Sequence, residues 1–294
     1  MSSPTTVEGV GVSRVFLPAG SWTLLLDFLD QRFPDVGRAV WQTRLRQGRV
    51  SDDSGQSLQA DAPYIAGRRI HYFRELPDEP RIPFDAVILH RDDDLLVVDK
   101  PHFLPTMPAG RYVQQSLLVR LKRETGLDDL VPLHRLDRAT AGLVMFSIRP
   151  STRAAYTELF ASRRITKVYE ALAPALPGIS FPQTRRSRIA AAEPFFRMHE
   201  VDGVANADTN IDLIETRGDI ALYRLQPQTG RKHQLRVHMA AIGAAILNDP
   251  WYPQLLDEAE DDYTRPLKLL ARALSFRDPL GGDLRLFESR RSLW

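Results

Sequence analysis

Apolar positions along the chain change spacing several times, and each change outlines an element. From Thr23 to Phe33 the stretch TLLLDFLDQRF repeats apolar residues at helical spacing and stops at Pro34, which cannot continue a helix. A second short helix is predicted over 38–47, carrying Trp41 and Leu45 together with Arg38, Arg44 and Arg46, and ended by Gly48. The following stretch to Phe73 reads as short strands joined by Ser/Asp/Gly turns. LPDEPRIP, Leu76 to Pro83, holds three prolines and marks a linker.

Beyond it, Leu95 to Val98 is an apolar run between charges, as expected of a strand buried on both faces. Gln115 to Thr125 is amphipathic, with Leu117, Leu118 and Leu121 on one face and Gly126 as a stop. Leu143 to Ile148 is a further strand, and Ser151 is the expected N-cap of a helix reaching about Ser162. Lys167 to Leu172 and Asp219 to Leu225 read as strands, and Lys232 to Ile242 as a helix closed by Gly243. Strands and helices mix without regular βαβ alternation, which predicts an α+β fold. The boundaries predict a small domain over 1–78 and a larger one over 79–294.

Composition excludes some chemistries. Of 294 residues, 43% are apolar and 26% charged, ordinary for a globular protein. The absence of cysteine removes disulfides, thiolate zinc sites and cysteine nucleophiles. No apolar stretch approaches the roughly 20 residues that span a bilayer, and MSSPTTVEGVGV lacks the basic start and apolar centre of a signal peptide. A cytoplasmic protein is expected.

The net charge of +2 is unremarkable, but its layout is uneven. Ile220 to Asn248 carries Arg224, Arg231, Lys232 and Arg236 with no carboxylate, and Arg163 to Arg188 sets six basic residues against Glu170. Acids gather in Asp92–Asp94 and in the run Asp257, Glu258, Glu260, Asp261, Asp262. A solvated charge run explains either feature taken singly; segregation of sign points to an anionic partner, nucleic acid foremost.

Three stretches carry candidate chemistry. In His134–Gly142 (HRLDRATAG), Asp137 is flanked by arginines just before a turn glycine and a strand. Nearby guanidinium charge favours an ionised carboxylate, which can act as nucleophile or base; an Arg–Asp loop staple is the plainer account. In Pro227–His238 (PQTGRKHQLRVH), a Thr-Gly turn opens a helix and offers outward N–H groups to an anion. Arg231 and Lys232 suit phosphates, and His233, Gln234 and Arg236 can give specific hydrogen bonds. His233 and His238 are five apart, on different helix faces, so a shared metal is not expected. In Arg164–Leu172 (RITKVYEAL), Tyr169 can stack on a base, although a strand tyrosine is more often core.

Taken in order, these stretches resemble the RluA family of RNA pseudouridine synthases. DDDLLVVDKP, HRLDRATAGLVMF, RRITKVYEAL and PQTGRKHQLRVHMAAIGAAILND match four successive family blocks, over about 200 residues from near Ile82 to near Phe287. The resemblance implies a mixed, largely antiparallel sheet with flanking helices. It places the catalytic aspartate at Asp137, the active-site tyrosine at Tyr169 and the aspartate's arginine partner at Arg236, with no cofactor and no metal. Arg135 is a candidate to fill the space left by a flipped base. The chain departs from the family pattern at Ala141, at Ala244-Ala245, at Asn248 and over Leu104–Gly110, which lacks the usual histidine.

The segment LLDFLDQRFPDVGRAVWQTRLRQGRV with AGRRIHYF resembles the small α-L RNA-binding module, with SDDSGQS in place of its usual hairpin. That likeness makes Arg44, Arg46 and Arg49 candidate RNA contacts. The implied partner is RNA, with large-subunit ribosomal RNA favoured over tRNA, and the expected state is a monomer without a membrane role. The rival is a catalytically silent RNA-binding or ribosome assembly factor that keeps the synthase fold.

Overall fold

The computed structural model describes residues 6–7, 10–73, 79–256 and 262–294. Two compact units emerge from the chain's contacts, Met1–Glu79 with Lys122–Asp128, and Pro80–Leu121 with Asp129–Trp294. Part of the proline-rich linker, 74–78, and most of the acidic run, 257–261, lie outside the described residues.

In the first unit, β1 (Thr6–Val7) pairs with β2 (Val10–Gly11), and β3 (Ser13–Phe16), β5 (Arg69–Tyr72) and β4 (Val50–Asp52) form an antiparallel sheet in that order. Between β3 and β4 run α1 (Leu25–Arg32) and α2 (Arg38–Arg46). Leu25, Leu26, Phe28 and Leu29 of α1 meet Trp41 and Leu45 of α2 over Val50, Ile70 and Tyr72. Trp41 stands edge-on to Tyr72 at 5.0 Å.

The second unit is built on an eleven-stranded sheet, ordered β12-β11-β13-β14-β10-β15-β9-β7-β6, with β16 on β15 and β8 on β9. Its strands are β6 (Val87–Arg91), β7 (Leu95–Lys100), β8 (Val131–Pro132), β9 (Ala141–Ser147), β10 (Ile165–Pro174), β11 (Gln183–Ala191), β12 (Met198–Val201), β13 (Ala207–Arg217), β14 (Ile220–Pro227), β15 (Leu269–Arg277) and β16 (Leu284–Glu288). The helices are α3 (Leu117–Thr125), which runs into the segment grouped with the first unit, α4 (Arg153–Ala161) and α5 (Gln234–Ala241). Among the described residues its strand pairings are antiparallel except β15 with β9. The α+β expectation therefore holds.

Residues of β7 and β9 are buried on both faces, as their unbroken apolar runs require. Leu95, Val97, Leu143 and Met145 pack with Tyr156 and Leu159 of α4 and with Leu274 and Phe276 of β15. A second cluster joins Ala171, Ile211, Tyr223 and Leu225 to Leu235 and Met239 of α5. The parallel step depends on Gly142, whose φ is +111°; a Cβ there would lie 2.3 Å from Ala271 O and 2.6 Å from Ala271 N.

Some boundaries differ from expectation. The cap residue of α4 is Thr152, not Ser151, and it makes no side-chain cap bond because its hydroxyl goes to Asp94 Oδ1 at 2.8 Å. Helix α5 begins at Gln234 rather than Lys232, since His233 takes a left-handed conformation with φ 56°. In α3 the buried residues are Leu117, Val119 and Leu121, while Leu118 is half-buried.

Candidate active site

Asp137 sits in the loop from β8 to β9, and the surrounding backbone is pinned at every carbonyl. Leu136 O accepts the Thr106 hydroxyl at 2.9 Å, Asp137 O accepts Thr140 N–H at 3.1 Å, Arg138 O accepts Lys100 Nζ at 3.3 Å and Ala139 O accepts His102 Nδ1 at 2.7 Å. Thr106 Oγ1 also accepts Leu136 N–H at 3.2 Å. A carbonyl only accepts, so His102 carries its proton on Nδ1. Burial lowers the His102 pKa to about 4, which keeps the ring neutral.

Lys100 is fully buried at the end of β7 and also donates to Pro101 O at 3.0 Å and Leu104 O at 2.8 Å. Burial lowers its pKa to about 7, against an opposing pull from the Asp137 carboxylate.

The cation placed against Asp137 comes from α5. Arg236 Nη1 is 3.8 Å from Asp137 Oδ2, with the arginine side chain 2% exposed and the aspartate side chain 35% exposed. The stronger partner of Arg236 is Asp249, bound through Nε to Oδ2 at 2.7 Å and through Nη2 to Oδ1 at 2.6 Å. Asp249 Oδ1 accepts Trp251 N–H and Tyr252 N–H as well, at 2.9 and 3.2 Å. The guanidinium lies 4.8 Å from the Trp251 ring and 5.1 Å from that of Tyr252. Burial works against the charge on Arg236, yet the Asp249 bonds and both carboxylates raise its pKa.

His233 Nε2 is 3.9 Å from Asp137 Oδ2, and its Nδ1 is 2.9 Å from the Tyr252 hydroxyl. Burial lowers its pKa to about 4, so at neutral pH the positive charge beside Asp137 is that of Arg236.

Asp137, Tyr169 and Arg236 line one cleft of about 1030 Å³, together with Arg135, Lys167, Arg231 and Lys232. Tyr169 sits at a register shift in β10 between Val168 and Tyr169, opposite Ala271 and Leu225. Burial, with a contribution from the Asp137 carboxylate, raises its pKa and keeps the phenol protonated. The cleft therefore combines a half-exposed carboxylate, an aromatic wall with a proton donor, and a basic rim. That set can receive an extruded base and hold the strand carrying it.

Several sequence-derived roles change. Of the arginines flanking Asp137 in sequence, Arg135 is exposed and lines the same cleft, while Arg138 lies 5.0 Å from the Tyr112 ring and donates to its hydroxyl at 3.3 Å. Gln234 is 4% exposed and cannot reach RNA. Its amide binds Asp208 O and Thr209 Oγ1, and its carbonyl accepts Arg231 N–H and the Thr229 hydroxyl, so it builds the Thr-Gly turn. His233 is likewise buried, against Tyr252 and Trp251.

Arg231 and Lys232 are exposed and line the cleft. In the first unit Arg46 and Arg49 are exposed, but Arg44 is 6% exposed and stacked 4.5 Å from Trp41, which removes it as an RNA contact. Sequence reasoning missed Lys100, His102, Thr106 and Asp249. Two of them lie inside the family-like stretches, Lys100 in DDDLLVVDKP and Asp249 at the end of PQTGRKHQLRVHMAAIGAAILND.

Comparison with known proteins accounts for this arrangement. The family model described as RNA pseudouridylate synthase matches residues 94–241, which include Asp137, Tyr169 and Arg236. An uncharacterized RNA pseudouridine synthase of Synechocystis sp. is 29% identical over 233 residues, covering 78% of this chain and 79% of that protein. A pseudouridylate synthase of Homo sapiens is 32% identical over 182 residues, covering 59% of this chain and 32% of the relative, so the chain spans about a third of that protein's length. Among solved structures, human RNA pseudouridylate synthase domain containing 4 superposes with a TM-score of 0.55 at 27% identity, covering 69% of this chain and 87% of the other. With half of its length matched to the family, and the pinned carboxylate inside the match, this chain belongs to the RNA pseudouridylate synthases of the RluA type.

Proposed function

We propose that this chain converts particular uridines of a structured RNA to pseudouridine, with Asp137 as the reacting carboxylate. In that isomerisation the N1–C1′ bond breaks, the uracil turns, and a C5–C1′ bond forms. N1 gains a proton and C5 loses one, so no external reactant is consumed. The observation that carries the reading is the Asp137 carboxylate at the cleft surface, 3.8 Å from a buried guanidinium held by a second carboxylate. Arg236 sets a buried positive charge against Asp137 and orients it for attack, or for taking a sugar proton. Tyr169 stacks on the everted base, confines the detached uracil and, with its hydroxyl protonated, donates a hydrogen bond to the ring while C5 gives up its proton.

Extruding a paired uridine costs a few kcal/mol, which phosphate contacts from Arg231 and Lys232 offset. Arg135, exposed and lining the cleft, occupies the stack that the base leaves. Residues 1–78 act as an α-L-like RNA-binding module with Arg46 and Arg49 as contacts, and residues 79–294 as the catalytic domain. That attached module favours large-subunit ribosomal RNA over tRNA as the substrate.

The deciding experiment is tritium release from RNA containing [5-³H]uridine. Asp137→Asn should abolish release while RNA affinity stays within a few fold. Full turnover by that variant would remove Asp137 from the chemistry, and no release by the wild type would leave the silent assembly factor as the better account.

A further inference from the structure

Beside the cleft lies a smaller recess of about 400 Å³, lined by Arg163, Arg186, Asn206, Asp208, Thr229 and Arg231. Arg163, Asn206, Thr229 and Arg231 line the cleft too, so the two spaces are continuous. We propose that this recess is a second anion subsite, which takes a backbone phosphate next to the nucleotide held in the cleft. The inference rests on the reading of the cleft as a site for uridine in RNA.

Two of the three guanidiniums are held by their inner edges. Arg186 Nε donates to Asp208 Oδ2 at 2.7 Å, and Arg231 Nε donates to Asn206 O at 3.1 Å. Among the described residues nothing bonds their terminal nitrogens, so each presents its outer pair to a ligand. The supports are themselves fixed. Asn206 exchanges two hydrogen bonds with the backbone of Ile189, and Asp208 N–H is bound by the Thr229 hydroxyl.

Arg163 completes the set. It has φ 58° just past the end of α4, a position where glycine is the ordinary choice, and its side chain has no bonded partner among the described residues. Three guanidiniums face the single carboxylate of Asp208, leaving an excess of two positive charges. Planar forks carrying excess charge suit the paired oxygens of a phosphodiester better than a neutral or cationic ligand. Since Arg163 and Arg231 border both spaces, a strand with its base in the cleft would bring its own adjoining phosphate to the recess.

The test is filter binding of the full chain to a twelve-nucleotide oligouridylate across a series of salt concentrations. Each lost phosphate contact on a single strand lowers the slope of log affinity against log salt by about 0.7. Arg163→Gln should lower the slope by about 0.7 and the Arg163→Gln/Arg186→Gln pair by about 1.4. Arg188→Gln, on the same strand as Arg186 but outside the recess, should leave it unchanged. Should the double variant unfold because Asp208 loses its partner, Arg163→Gln alone decides. Unchanged slopes in the recess variants, or an equal loss in Arg188→Gln, would overturn the subsite. Tritium release by the wild type is measured in parallel: its absence defeats the isomerase reading while the slopes still judge the recess.

Discussion

Arg236 grips Asp249 with two bonds of 2.7 and 2.6 Å and stands 3.8 Å from Asp137. One buried guanidinium thus serves two carboxylates unequally, anchored by the enclosed one and presented to the half-exposed one. The anchor also receives two backbone N–H groups from the turn after Asp249. Removing one member of a buried pair leaves the other charge uncompensated, so Asp249→Ala should lower the unfolding free energy by about 3–5 kcal/mol. Urea unfolding measures this, and a loss below about 1 kcal/mol, the worth of an exposed pair, would show that Arg236 does not depend on Asp249. Arg236→Lys keeps the charge but not the two-point grip, and its kcat should fall at least tenfold.

The Tyr169 phenol separates two contributions. Its ring closes the cleft, while its hydroxyl remains protonated beside Asp137. Tyr169→Phe keeps the ring and should retain KM within a few fold while kcat falls by about 10²-fold or more, the usual scale for a lost proton-transfer group. Wild-type kcat in that variant would reduce Tyr169 to a packing role. Steady-state tritium release on one RNA substrate distinguishes these outcomes.

Acid should unfold the protein through histidines as well as carboxylates. Burial lowers His102, His233 and His238 to about 4 and His134 to about 3, from 6.5. Between about pH 4 and 6.5 the unfolded chain therefore binds protons that the folded chain refuses. Unfolding free energy rises with pH across that window and is lost as pH falls through it. The denaturant midpoint should drop clearly from pH 7 to pH 5, above the range where most carboxylates titrate. Equal midpoints at the two pH values would contradict the burial of these rings.

Gly142 marks the point where β9 runs parallel to β15. Because the left-handed φ and the Ala271 backbone both exclude a Cβ, Gly142→Ala should cost about 3 kcal/mol or more. Thermal or urea unfolding would register it, and a near-neutral result would mean that the strand pair can part at little cost.

Much of this architecture is legible in the chain. The runs LLVV and LVMF announce the doubly buried β7 and β9, and the ordered blocks lead to Asp137, Tyr169 and Arg236, which the fold brings to one cleft. Less visible are pairings set by turns. Asp249 lies thirteen residues beyond Arg236, across a bend after α5 that no periodicity reveals. Gln234 reads as a recognition residue because polar side chains at helix starts often face solvent; here the left-handed His233 rotates the helix origin and turns Gln234 inward. Arg44 is misread for its charge, although its place three residues after Trp41 sets it on the same helical face, where its guanidinium covers the indole.

The four consecutive acceptors from Leu136 to Ala139 carry a mechanical consequence. Thr106, Lys100 and His102 clamp three of them from one neighbouring segment, and the fourth closes a local turn. Such a loop has no slack with which to follow an awkwardly presented target. On the function proposed above, accommodation falls to the RNA, and the choice among uridines would follow how cheaply each can be bent to meet an unyielding anvil.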